Sequence, residues 1–168
     1  MPMDVTFWLP LVKVMHVGAL IMWLGPSAGA WLSLMIGRRR YGEPGVATHY
    51  LYRGFLQILW LEHLGFLLML GSGVLLLVIH GMPALGWGWL QLKLLLVLVV
   101  VIPLELMDMW FSHRRLPQIF AAREPDAPYT LQEARVLHLY HRRFVPMALP
   151  VLLATVAVVM WLAMARPA

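Results

Sequence analysis

Four long apolar runs dominate the chain, and most polar residues lie between them. The runs cover about residues 7–36, 54–79, 89–110 and 144–165. Each is long enough to cross the hydrocarbon core of a bilayer as a helix, which takes about 20 apolar residues. The pattern therefore predicts an all-α, integral membrane four-helix bundle, and we interpret residues 1–168 as a single membrane domain.

The third connection carries a helix start signal. Thr130-Leu131-Gln132-Glu133 has the form of a capping box, in which Thr130 accepts from the amide of Glu133 and the Glu133 side chain reaches back. The spacing predicts a short amphipathic helix over 131–144. We expect this helix to lie on the cytoplasmic interface before the last span.

Composition agrees with a membrane protein. Hydrophobic residues make up 61% of the chain and charged residues 12%, against about 25% charged in a soluble domain. There is no cysteine, which excludes a disulfide framework, a thiolate zinc site, an iron–sulfur cluster and c-type haem attachment. The first ten residues carry Asp4 and no Lys or Arg. We therefore interpret the first run as a retained span and not as a secretory signal.

Arginine placement predicts the orientation. The first and third connections are flanked by ten of the thirteen basic residues, and the middle connection has none. By the positive-inside rule the first and third connections face the cytoplasm, and both termini are non-cytoplasmic. Because this placement explains the net charge of +5, we expect membrane lipid and no nucleic acid as a partner.

Ionisable residues inside the spans are the strongest functional signal, since each costs about 2.5–3.5 kcal/mol on insertion scales. By depth they form a positive group in the outer half and an acidic group in the inner half. The positive group is Lys13, His16 and Lys93; the acidic group is Glu62, His63, Glu105 and Asp108.

The positive group lacks a carboxylate at its own depth, apart from Asp4 near the N-terminus. An anionic ligand between the helices would supply the missing charge. A porphyrin offers propionates to lysine, a metal to His16, and a flat apolar body for a cleft lined by Trp and Leu. The alternatives are that Lys13 and Lys93 snorkel to the interface and that His16 makes an interhelical hydrogen bond.

The acidic group has two interpretations. Glu105 and Asp108 are three residues apart and share a helix face. With Glu62, His63 and His113 they could bind a metal through carboxylate and imidazole groups. We favour pairing of the carboxylates with arginines near the cytoplasmic boundary, which would make Glu105 and Asp108 structural.

Three segments resemble the HemJ-type protoporphyrinogen IX oxidases. The first is Lys13-Val14-Met15-His16 with Trp23-Leu24-Gly25, which is similar to the first helix of that family. The second is Trp89-Leu90-Gln91-Leu92-Lys93, similar to its third helix, and the third is Arg143-Phe144-Val145-Pro146 before the last apolar run. The stretch from Pro103 to Asp108 departs from the family, where a region rich in histidine and aromatic residues is expected.

The resemblance implies a multi-pass protein of the bacterial inner membrane that binds haem b. It would oxidise the tetrapyrrole protoporphyrinogen IX and pass electrons to a respiratory-chain acceptor. His16 matches the essential histidine of the family and Lys93 its essential lysine, so both are candidate catalytic residues and His16 the iron ligand. Lys13, Trp23 and His63 join them as candidate cofactor-binding residues.

A second function class stays open. Four-helix copper-resistance proteins of the CopD type have a similar appearance, so the chain could share the scaffold without the oxidase reaction. It would then be a non-catalytic membrane subunit with an electron-transfer, metal-handling or scaffold role. The sequence also leaves open whether the chain forms a homo-oligomer or joins a larger membrane complex.

Overall fold

The computed structural model describes residues 5–80, 88–121 and 123–165. These residues contain four long apolar helices and no strand: α1 (Val5–Tyr41), α2 (Val46–Ile79), α3 (Trp89–Phe120) and α4 (Leu131–Ala165). All four are long and apolar enough to cross a membrane. The prediction of an all-α, four-helix membrane protein is confirmed.

Each helix is longer than the apolar run that predicted it. The 35 residues of α4 span about 52 Å, whereas the hydrocarbon core is about 30 Å thick. The additional turns hold polar residues that the sequence placed in the connections, such as Arg38 and Arg114. The helices therefore extend well beyond the apolar layer at their arginine-rich ends.

Local signals account for the helix ends. The α1 helix ends at Tyr41 because Gly42 follows with a φ of 78°, a left-handed conformation suited to glycine, and donates its amide to the Arg38 carbonyl at 3.1 Å. The α4 helix begins after Thr130, whose Oγ1 accepts from the Glu133 amide at 3.3 Å. Glu133 Oε2 in turn accepts from the Thr130 amide at 2.7 Å. The predicted capping box is confirmed.

The predicted amphipathic helix is present but is not a separate element. Residues 131–144 continue without a break into the last span. No helix boundary occurs at Phe144, because Pro146 does not begin a new helix. A wide turn at Leu139–Phe144 absorbs the proline inside one continuous helix.

Such wide, π-helical turns occur three times in the described chain, and a proline follows each at the same distance. The segments are Val97–Val101 before Pro103, Phe111–Arg115 before Pro117, and Leu139–Phe144 before Pro146. Proline has no amide hydrogen, and its ring clashes with the carbonyl four residues earlier. A π turn moves that carbonyl aside, which lets a membrane helix continue past the proline.

The backbone divides into two compact units. The first contains residues 1–42 and 50–84, and the second contains residues 43–49 and 85–168. In the first unit α1 and α2 form an antiparallel hairpin. In the second unit α3 and α4 form another, with Phe111 of α3 packed between Tyr140 and Phe144 of α4 at 5.3 and 5.6 Å.

Candidate functional site

The α1–α2 hairpin has a defined register. Three contacts define it: Gly37 lies against Leu51, Trp23 against Gly65, and His16 against Ser72. A residue of α1 and the residue of α2 at the same height along the hairpin therefore have numbers that add up to about 88. Among the glycines of this hairpin, Gly65 lies closest to the partner backbone: an added Cβ would lie 2.7 Å from the Trp23 backbone nitrogen. Glycine is therefore required at residue 65 for the two backbones to pack together.

His16 is held in one orientation by α2. Its Nδ1 lies 3.0 Å from Ser72 Oγ. The single hydroxyl proton of Ser72 is directed to backbone carbonyls, because Oγ lies 2.7 Å from the Leu68 oxygen and 3.0 Å from the Met69 oxygen. This geometry favours Nδ1–H of His16 as the donor and Ser72 Oγ as the acceptor.

This tautomer is the one that a metal-ligating histidine needs. Such histidines almost always donate their second ring N–H to a neighbouring acceptor, which orients the ring and fixes the tautomer. Gly73 lets the His16 ring lie close to α2, since a Cβ there would lie 3.3 Å from His16 Cε1. The half-buried His16 is thus suited to bind a metal or to accept a proton through Nε2.

The other candidates in the first unit lie at different levels of the hairpin. Lys13 is exposed and lies one turn from His16 on α1. Trp23 is 1% exposed and packs on Phe66 with ring centroids 5.3 Å apart. Its indole Nε1 has no hydrogen-bond partner among the described residues, so a buried donor lies on the same face as His16, about 10 Å along the helix.

His63 does not lie opposite His16. It is 2% exposed on α2, and the register puts it level with Gly25, about 13 Å along the helix axis from His16. Within this hairpin the two imidazoles cannot ligate one iron. The hairpin thus gives His16 no histidine as second axial ligand, and a haem contact of His63 elsewhere stays a prediction.

Lys93 belongs to the second unit, where it is half-buried near the start of α3. It forms no ion pair or hydrogen bond with any described residue. Asp4, the acidic residue expected near it in depth, lies outside the described residues. Among the described residues, the Lys93 ammonium therefore has no opposite charge beside it.

The acidic group is buried. Glu62 is 7% and Glu105 3% exposed, and they lie in different units. Asp108 accepts a hydrogen bond from the Tyr140 hydroxyl at 2.9 Å. No set of three or more His, Asp or Glu residues that could hold a metal occurs in the described chain. The hydrogen bond to Asp108 comes from a tyrosine, where the sequence suggested an arginine.

Sequence reasoning missed Ser72 and Tyr140. Serine in a membrane helix commonly bonds to the carbonyl one turn earlier, as Ser72 does to Leu68, and nothing local marks it as a partner of His16. Tyr140 lies in a segment expected at the interface. The wide turn at residues 139–144 makes it part of the packed α3–α4 seam.

Comparisons with protein-family models, curated proteins and solved structures return no match to this chain. Function is therefore inferred from the described site residues and from the family resemblance of the segments around His16 and Lys93.

Proposed function

We propose that this protein is a haem b-binding membrane oxidoreductase similar to the HemJ-type protoporphyrinogen IX oxidases. The observation that supports the proposal most directly is the hydrogen bond from His16 Nδ1 to Ser72 Oγ. This contact orients a half-buried imidazole on a membrane-spanning helix, as the second hydrogen bond of a metal-ligating histidine does.

Each residue that the resemblance indicates would have a distinct task. His16 would hold the iron through Nε2, and Ser72 would keep the ring in that tautomer. Lys93 would bind a carboxylate of the cofactor or of the tetrapyrrole, with Lys13 as a second, more exposed cation. Trp23 offers a buried indole N–H to an acceptor between the helices. When bound, haem supplies one-electron transfer.

The reaction would remove hydrogen from protoporphyrinogen IX. The electrons would pass to a respiratory-chain acceptor, and the protons would be released to water. The proposal includes the bacterial inner membrane as location, with both termini non-cytoplasmic. These assignments rest on the resemblance and on the arginine distribution.

The first prediction concerns the visible absorption spectrum of the purified protein. The wild type should show a Soret band and, after reduction, the α and β bands of a b-type haem. His16→Ala should abolish or shift these bands because a direct bond to iron is lost. His138→Ala is the matched control, since His138 is an exposed histidine of the second unit, and it should leave the spectrum unchanged.

Lys93→Ala separates binding from turnover in the same assay. Loss of the ammonium removes a partner for a carboxylate but no bond to iron. The variant should keep most of its haem and oxidise the tetrapyrrole more slowly. If His16→Ala leaves both the spectrum and tetrapyrrole oxidation unchanged, the oxidase assignment is wrong. The chain is then better described as a non-catalytic membrane subunit.

A further inference from the structure

We propose that one end of the α3–α4 hairpin carries a binding site for the phosphate group of an anionic phospholipid. The site is a belt of four arginines and one tryptophan, here called the arginine belt. Its members are Trp110, Arg114 and Arg115 on α3, and Arg142 and Arg143 on α4. The inference is independent of the proposed oxidase activity.

Two wide turns bring the belt to one level. Arg114 and Arg115 end the π segment of α3, and Arg142 and Arg143 lie near the end of the π segment of α4. Phe111 begins the first segment and packs on Phe144, the last residue of the second. The helices are antiparallel, so this contact places all five members within about 8 Å along the helix axis.

The belt is a concentration of positive charge that the described chain does not neutralise. None of its four arginines forms an ion pair or a hydrogen bond with a described residue. Arg114, Arg142 and Arg143 are exposed. The nearest carboxylate along α3, Asp108, is engaged by the Tyr140 hydroxyl. An external anion is therefore the natural partner of the belt.

The aromatic member places this anion at the membrane surface. Trp110 is 41% exposed, and the Arg115 guanidinium lies 4.7 Å from its ring centroid. Tryptophan favours the headgroup level of a bilayer. The apolar spans begin on the other side of the belt, at Val145 on α4 and before Trp110 on α3. Arginine pairs with phosphate oxygens through two parallel N–H donors. A phospholipid would place its acyl chains beside the apolar helices and its phosphodiester beside the arginines of the belt.

The test uses the full chain purified in neutral detergent micelles that contain dioleoyl phosphatidylglycerol or, separately, dioleoyl phosphatidylcholine. Native mass spectrometry measures the fraction of protein that retains lipid. The wild type should retain phosphatidylglycerol over phosphatidylcholine. The double variant Arg142→Gln/Arg143→Gln should bind phosphatidylglycerol roughly 10- to 30-fold more weakly, as expected for the loss of two basic residues at a membrane surface.

The matched control is Arg39→Gln/Arg40→Gln, which removes two exposed arginines from the last turn of α1 and should bind phosphatidylglycerol like the wild type. Circular dichroism checks that both variants fold, and Arg114→Gln replaces the belt variant if it does not. Equal loss in both double variants would overturn the proposal, since it would indicate diffuse charge attraction. The proposal would also be overturned if inorganic phosphate displaced the lipid. It would be overturned, too, if the belt variant lost an acidic protein partner but still bound the lipid.

Discussion

The carboxylate of the half-buried Asp108 connects two helices through a hydrogen bond from Tyr140. A carboxylate inside the membrane must find donors or become neutral. Tyr140 supplies one donor, and its own ring is 1% exposed and stacked on Phe144 with centroids 5.9 Å apart. The hydroxyl is thus held in position by aromatic packing, and the pair connects α3 to α4 where both helices have wide turns.

Removal of this hydroxyl should destabilise the protein. Tyr140→Phe keeps the ring and leaves the Asp108 oxygen without its donor, which should cost about 1–3 kcal/mol. Unfolding of the full chain in mixed detergent micelles measures the change. Tyr41→Phe is the control, because Tyr41 is 57% exposed and should change stability by less than about 0.5 kcal/mol. Equal stability of the two variants would show that the hydrogen bond contributes nothing.

At the scale of helices, the close approach of α1 and α2 at Gly65 determines where Ser72 meets His16. The two contacts are seven residues apart on both helices, so a shift at Gly65 moves the Ser72 hydroxyl relative to the imidazole. Neither Gly25 nor Gly29 has this role. A Cβ added at either position would meet nothing within 4 Å. Gly25 and Gly29 have the four-residue spacing that is common at helix contacts in membranes, but they do not lie at the contact with α2.

Gly65→Ala should therefore loosen the hairpin. The new methyl group would lie 2.7 Å from the Trp23 nitrogen, and backbone cannot move aside as a flexible side chain can. We expect a loss of stability of roughly 1–3 kcal/mol, read from thermal unfolding in detergent. Gly71→Ala lies on the same helix with nothing within 4 Å of its Cβ. It should be neutral or slightly stabilising, because alanine favours a helix over glycine. Comparable losses in both variants would contradict the packing argument.

The helices themselves were predictable from sequence, and their continuity was not. Apolar runs long enough to span a bilayer identify α1 to α4 because hydrocarbon permits few alternatives to a helix. Prolines 103, 117 and 146 suggest breaks or kinks by the usual rule. Whether a proline is absorbed by a wide turn depends on packing such as that of Phe111 on Tyr140 and Phe144, which local sequence does not encode.

The candidate site was partly predictable for a related reason. His16 and Lys93 are conspicuous because charge inside a membrane is costly. Their partners depend on register. The pairing of His16 with Ser72, and the distance of about 13 Å along the helix axis between His16 and His63, follow from the level at which α1 and α2 pack. An antiparallel register set by one glycine contact could not be read from either helix alone.

For the molecule as a whole, the arginine distribution predicts how the chain lies in the membrane. Ten of the thirteen basic residues flank the first and third connections. The structure lengthens the helices toward these connections, so the arginines at the end of α1 and in the wide turns of α3 and α4 lie on helical turns at or beyond the apolar runs. Moving them across the bilayer would be costly, and the positive-inside rule therefore predicts that they face the cytoplasm.

The last prediction tests this orientation with reporters fused to the chain. Four spans that follow a non-cytoplasmic N-terminus return the C-terminus to the non-cytoplasmic side. Green fluorescent protein fused after Ala168 would then be exported and should not fluoresce. Alkaline phosphatase fused at the same position should be active. A truncation at Asp126, in the third connection, should show the reverse pattern, since three spans precede it. Fluorescence of the fusion after Ala168 would show that the true topology is the inverse of the predicted one. His16 and Lys93 would then lie toward the cytoplasmic side, and a tetrapyrrole would have to reach them from there.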